Sequence, residues 1–165
     1  MLPIIATMTD CARVRSVDVQ QSPSRLRSLP SWLLGQACAQ AQRVVNEVLT
    51  EQGAHRSQFA LLSVLDEFGP LSQTALSERS GLDRSDLVRW VDELVTDKLV
   101  RRSQDPDDRR RNVVTITAAG RRRLDALHTQ LRRAQRDLLS PLSDEEREQL
   151  VALLGRLLGL RGSGG

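Results

Sequence analysis

The sequence is poor in aromatic residues and in cysteine. It contains two Trp, two Phe and no Tyr, so a hydrophobic core must be built mainly from Leu, Val and Ala. Leu and Ala favour helices, and the composition therefore predicts a mainly helical fold. The two cysteines, Cys11 and Cys38, provide no disulfide framework, which fits a reducing cytoplasm.

Several functional features are also missing from the sequence. It has no run of eighteen apolar residues, which predicts no transmembrane helix, and its start, MLPIIATM, lacks the basic segment of a signal peptide. It has no Gly-rich phosphate loop, paired His or Ser motif, which argues against an enzyme. Two His and two Cys without ligand spacing argue against a metal site. We therefore expect a cytoplasmic, non-enzymatic protein without cofactor, metal or membrane contact.

The positive charge is concentrated in the middle of the chain. The net charge is +3. Residues 71–123 hold twelve Lys and Arg against nine acidic residues, whereas the segments before and after them each hold six Arg against six acidic residues. The whole excess therefore lies in the middle segment, as in a nucleic-acid-binding surface.

Helical spacing and breaking residues divide the chain into segments. Residues 1–29 contain Pro and Ser without helical periodicity, which predicts a mostly disordered arm. Apolar residues at helical spacing predict long helices over 31–53 and 55–69. The last helix is apolar on nearly all sides and needs more cover than one small chain supplies, which predicts a dimer. We assign 30–53 and 121–160 to dimerisation helices, and 161–165 to a flexible tail.

Residues 71–98 have the signals of two helices joined by a tight turn. Gly81 fits the left-handed backbone of that turn, and Asp83 is placed to cap the second helix, with Asp86 closing a capping box. The apolar residues of this helix define an inward face. The outward residues Arg84, Ser85 and Arg89 would enter a major groove. Asp92 is expected on the flank or in an ion pair with a neighbouring Arg.

Two β-branched runs follow this second helix. LVRRSQ and NVVTIT can pair as a hairpin around the turn DPDDRRR, and Thr117 is placed to cap the next helix. The predicted fold is therefore mainly α with a small β-hairpin wing. It is a winged helix-turn-helix over residues 54–120, flanked by N- and C-terminal dimerisation helices.

The segment DPDDRRRNVVTITAAG closely resembles the wing of the MarR family of transcription factors. The family pattern is an Asp-Pro-x-Asp-Arg-Arg run, a Val-rich strand and Thr-x-x-Gly. The matching residues here are Asp105, Pro106, Asp108, Arg109, Arg110, Val113, Thr117 and Gly120. The resemblance spans roughly residues 30–158. It implies a homodimer that binds a palindromic site on double-stranded DNA, commonly as a repressor.

The resemblance also implies roles for the wing. Arg110 would enter the minor groove, whose negative potential attracts Arg, while Asp108 holds the hairpin in shape. Arg84, Ser85 and Arg89 would contact bases or phosphates. Phosphate contacts give affinity without sequence preference, and they are expected from Arg101, Arg102, Arg109 and Arg111.

Members of this family commonly release DNA when a small aromatic ligand enters a crevice between the dimerisation helices and the winged helix. The residues here that could line such a crevice are Trp32, Cys38, His55, Phe59 and Trp90, each of which is an equally good core or surface residue. Two alternatives stay open. One is redox sensing through Cys38, although this chain lacks the Tyr that accompanies such cysteines. The other is a protein-interaction module without DNA binding, which would not need three exposed Arg on the wing.

Overall fold

The computed structural model describes residues 18–104 and 112–160. Within those ranges it contains seven α-helices and a three-stranded antiparallel sheet, which confirms the predicted fold class. No helix there is long and apolar enough to cross a bilayer. The elements are α1 (Ser24–Arg27), α2 (Pro30–Glu51), α3 (Arg56–Phe68), β1 (Leu71–Ser72), α4 (Gln73–Ser80), α5 (Arg84–Thr96), β2 (Val100–Gln104), β3 (Asn112–Ile116), α6 (Ala118–Leu138) and α7 (Asp144–Leu157).

The predicted disordered arm is partly helical. Residues Val19–Gln21 form a 3-10 helix, in which the Asp18 carboxylate accepts a hydrogen bond from the Gln20 N–H, and α1 follows it. Local backbone and capping hydrogen bonds hold these short segments. Such segments bury no apolar face, so the sequence shows no apolar periodicity from which to predict them. Residues 1–17 and the predicted tail, 161–165, lie outside the described residues.

The sheet places β3 between β1 and β2. Strands β2 and β3 pair from Val100 opposite Ile116 to Gln104 opposite Asn112, which is the predicted hairpin. Strand β1 pairs Leu71 with Val114 and was not predicted, because two residues carry no alternating pattern. The sheet therefore joins the start of the helix-turn-helix to the wing.

Two groups of buried side chains hold the helices together. The larger group fills the winged helix and includes Leu62, Leu65, Leu76, Val91 and Leu94, all with an exposed fraction of 0%. A smaller group, Leu49 with Leu127 and Leu131, packs α2 against α6. Each Leu removes apolar surface worth about 1.5–3 kcal/mol from water.

Helix α7 begins with a capping box and leaves its apolar side chains exposed. Ser143 and Glu146 form a capping box, with the Ser143 N–H donating to Glu146 at 2.8 Å. Helix α7 contains no buried residue. Large apolar side chains from 59% to 73% exposed lie along it and just beyond it, namely Val151, Leu153, Leu157, Leu158 and Leu160. We call this exposed apolar surface the α7 face.

The start of α6 is tied to the end of the α5–β2 connection. The Thr117 N–H donates to the Leu99 carbonyl oxygen at 3.0 Å, and its hydroxyl lies 2.8 Å from the Lys98 oxygen. The same hydroxyl accepts from the Gly120 N–H at 3.0 Å. A Cβ on Gly120 would overlap the Leu99 carbonyl oxygen and lie 2.8 Å from Cγ1 of Ile116. The Thr-x-x-Gly motif is therefore a close-packed joint between α6 and the wing.

Candidate nucleic-acid interface

Helix α5 presents its outward face because its cap and its buried face are both fixed. Gly81 takes the left-handed backbone (φ 72°) that ends α4. The Asp83 carboxylate then accepts hydrogen bonds from the Asp86 N–H at 2.9 Å and the Ser85 hydroxyl at 2.7 Å. These bonds, the backbone one first, lower the pKa of Asp83, so the cap stays ionised at neutral pH.

The buried face of α5 is its apolar face, as predicted. Leu87, Val91 and Leu94 have an exposed fraction of 0%. Arg84, Ser85 and Arg89 are consequently exposed on the opposite side, near the N-terminal end of the helix. This arrangement matches the helix orientation that places side chains against base edges.

The predicted second half of the capping box is wrong. The Asp86 carboxylate lies 3.4 Å from Nη2 of Arg89 instead of returning to the cap. An Asp side chain is one methylene shorter than the Glu or Gln of a capping box, so it does not span that distance. Arg89 also lies 3.8 Å from Glu93, so two carboxylates flank this exposed guanidinium.

An ion pair connects α5 to the wing. Nη1 of Arg102 on β2 lies 2.6 Å from the carboxylate of Asp92, which confirms the expected pairing of Asp92 with a neighbouring Arg. Arg101, the next residue on β2, is exposed and opposes Thr115. The pair places one wing cation beside the outward face of α5.

Asp92→Asn should change the free energy of unfolding by less than about 1 kcal/mol. The two side chains are 54% and 36% exposed, and exposed ion pairs contribute little in water. Urea denaturation of Asp92→Asn, Arg102→Gln and the double variant measures the coupling energy. A coupling energy above about 2 kcal/mol would contradict this prediction and show that the pair contributes substantially to the stability of the fold.

The turn of the wing lies outside the described residues. Asp108, Arg109, Arg110 and Arg111 belong to it, so their predicted roles stay predictions.

The predicted ligand-pocket residues fall into two groups. His55, Phe59 and Trp90 lie around the contact of α3 with α5, where the His55 and Trp90 rings stack with centroids 4.3 Å apart. Trp32 and Cys38 lie on α2, where the Cys38 sulfur is 3.5 Å from Nε2 of Gln42. A surface depression of about 630 Å³ is lined by α5 residues, Ser85 and Arg89 among them, and by none of the five.

The sequence missed the long-range contacts of His55. Its ring nitrogen Nδ1 accepts from the Ser57 N–H at 3.2 Å and so caps α3, with Gln58 completing a capping box. Its position just before a helix is a signal for a cap. Nothing local indicates the stack on Trp90, which lies far along the chain. Within the described residues, no group of three or more His, Cys, Asp or Glu could hold a metal ion.

Comparison with known proteins finds a family of transcriptional regulators. The MarR family model matches residues 55–111. A putative transcriptional regulatory protein for the hcr operon of Thauera aromatica is 34% identical over 67% of this chain, which spans 66% of that protein's length. The regulator YxaD of Bacillus subtilis is 36% identical over 62% of this chain, and the match covers 71% of the length of YxaD. The crystal structure of a probable transcriptional regulator from Pseudomonas aeruginosa superposes with a TM-score of 0.68 and 34% identity, covering 81% of this chain and 99% of that one.

The fold and the exposed face of α5 define a winged helix-turn-helix regulator. The chain belongs to the MarR family of transcriptional regulators.

Proposed function

We propose that this protein is a sequence-specific repressor that binds a palindromic operator as a homodimer. The observation that carries the proposal is the exposed N-terminal face of α5, with Arg84, Ser85 and Arg89 held outward by the Asp83 cap. Arg84 and Arg89 would contact guanines or phosphates in the major groove. Related proteins support the function: NicR of Pseudomonas putida, 32% identical over 61% of this chain, is a transcriptional repressor.

The wing extends the same surface. Arg101 and Arg102 lie on β2 beside α5 and would contact phosphates, together with Arg109 and Arg111. Arg110 would enter the minor groove, with Asp108 shaping the turn. The fold is that of MarR from Escherichia coli, whose C80S variant has been solved in complex with operator DNA (24% identity, TM-score 0.66).

The α7 face supports the homodimer. Its large apolar side chains form a patch whose contact with water is unfavourable, and a second copy would cover it with an identical apolar face. A dimer built from this face together with α2 and α6 would place the two α5 helices in successive major grooves, about 34 Å apart.

A small aromatic ligand would release the DNA. BpsR of Bordetella bronchiseptica, which shares the fold, is regulated in its DNA binding by 6-hydroxynicotinic acid. Here the candidates to contact such a ligand are the His55, Phe59 and Trp90 group and the Trp32 and Cys38 group. A screen for compounds that release bound DNA tests this step, and peroxide treatment of a Cys38→Ser variant tests the redox alternative.

Selection from a random DNA pool tests the repressor proposal. We expect a palindrome, and an affinity that falls steeply with salt because phosphate contacts release counterions. Arg84→Ala, Arg89→Ala and Arg110→Ala should each weaken operator binding by roughly 5- to 150-fold with the fold intact. Arg133→Ala, an exposed change on α6, is the control.

The outcomes separate the parts of the proposal. Absence of salt-dependent DNA affinity in the wild type would favour a protein-interaction module. Unchanged operator affinity in Arg110→Ala would contradict the wing assignment alone.

A further inference from the structure

Five residues form a closed ring of contacts between the start of α3 and the exposed face of α5, with the His55 backbone N–H as one of the links. Gln58 is its first link: Oε1 accepts from the His55 N–H at 3.0 Å, and Nε2 donates to Glu93 at 3.4 Å. Glu93 lies 3.8 Å from Arg89. Because Glu93 and Arg89 belong to α5, Gln58 connects the cap of α3 to a predicted DNA-contacting residue.

Trp90 closes the ring. Cζ of Arg89 lies 4.2 Å from the centroid of the Trp90 ring, a cation–π contact. The His55 ring stacks on Trp90 with an interplanar angle of 11°. With 8% of its surface exposed, Trp90 is largely covered. We call His55, Gln58, Glu93, Arg89 and Trp90 the capping circuit.

We infer that His55 and Gln58 are positioning residues for Arg89, acting through Trp90 and Glu93, and that protonation of His55 releases this positioning. The inference rests on the proposed function, in which Arg89 contacts DNA. An exposed Arg side chain has many rotamers, and fixing one before binding reduces the entropy lost on contact with a base. The circuit supplies part of this fixing from the start of a neighbouring helix, α3.

The contacts of His55 require the neutral ring. Nδ1 accepts the Ser57 N–H, which it can do only without a proton of its own. Protonation would convert this acceptor into a donor that points at another donor at the positive end of α3. The cap would then be lost, and the stacked ring would be free to leave Trp90.

The charges around His55 set the pH at which this occurs. Burial, then Arg56 on α3 and Arg89 on α5, lower the pKa of His55 below its ordinary value of 6.5, while Glu93 and Asp86 on α5 oppose them. Because the folded-state pKa is the lower one, the cap is fully present above pH 6.5. Its contribution to stability declines below pH 6.5 and is lost as the pH falls through the folded-state pKa, at which the capping ring itself takes up the proton.

The experiment measures discrimination between the selected operator and a copy in which the base nearest Arg89 is replaced, from pH 8 to pH 5. For the wild type, the ratio of the affinities for the two DNA molecules should fall about fivefold to tenfold as the pH falls. His55→Asn retains a capping side chain but has no ring and no titration, so its discrimination should be low and independent of pH. Glu93→Gln should lower discrimination at every pH.

The matched control is His128→Asn, which changes the other histidine, exposed on α6. It should keep the pH dependence of the wild type. A His55→Asn variant that discriminates as the wild type does at every pH would overturn the proposal.

A second measurement needs no DNA. In a Trp32→Phe background, protonation of His55 should change the fluorescence of Trp90 because the ring then leaves its stacked position, and His55→Asn should abolish that titration. An Arg89→Ala variant with wild-type operator affinity would show that the proposed DNA contact is wrong. The fluorescence titration then still reports whether the circuit forms, so the two failures are distinguishable. Absence of the titration in the Trp32→Phe protein would overturn the circuit itself.

Discussion

Gly120→Ala should destabilise the protein by about 3 kcal/mol or more, the upper range for overpacking a closed site. The added methyl group would overlap the backbone oxygen of Leu99, and backbone cannot rotate aside as a flexible side chain can. To make room, α6 must move away from β2, which stretches the three hydrogen bonds that Thr117 makes to Lys98 and Leu99. Chemical denaturation monitored by circular dichroism measures the loss.

Gly35→Ala is the matched control for this prediction. Gly35 lies within α2, and a Cβ there would meet nothing within 4 Å. Alanine favours a helix over glycine, so this variant should be as stable as the wild type or gain up to about 1 kcal/mol. Equal stability of Gly120→Ala and the wild type would mean that the joint between α6 and the wing is looser than the structure shows.

Leu153→Glu should dissociate the proposed dimer and reduce operator affinity by roughly 100-fold or more, because each half-site is then bound without its linked neighbour. Leu153 is 59% exposed on the α7 face, so the change costs the single protomer little. A pair of glutamates facing each other across a symmetric interface would be buried without partners. Analytical ultracentrifugation and operator titration measure the two effects.

Gln149→Glu introduces the same charge on α7 at a residue that is already polar and exposed. It should leave both the dimer and the operator affinity unchanged. A Leu153→Glu protein that sediments as the wild type does would contradict the assignment of the α7 face as a dimer interface.

The sequence predicted those parts of the fold that depend on neighbouring residues. The caps at Asp83 and Thr117 were predicted because a capping side chain bonds to a backbone group two or three residues away. The inward face of α5 was predicted because helical periodicity is local as well.

Contacts between distant segments were not predictable in this way. The Thr-x-x-Gly motif was visible, but the reason for its glycine is the Leu99 carbonyl, which only the folded chain brings near. His55 and Trp90 were both assigned to a possible pocket, but the stacking of their rings, 35 residues apart in the sequence, was not predicted. Asp86 was assigned to the cap because its position fits one, whereas the nearby Arg89 guanidinium attracts its carboxylate.

The joint at Thr117 has a mechanical consequence. Thr117 is the single residue between β3 and α6, and it is hydrogen-bonded to the end of the α5–β2 connection. No flexible spacer therefore separates α6 from the wing. Helix α6 is 21 residues long, roughly 30 Å. A small tilt at its far end would therefore move the whole winged helix. In the proposed dimer, such a tilt would change the distance between the two α5 helices from a site remote from the proposed DNA contacts.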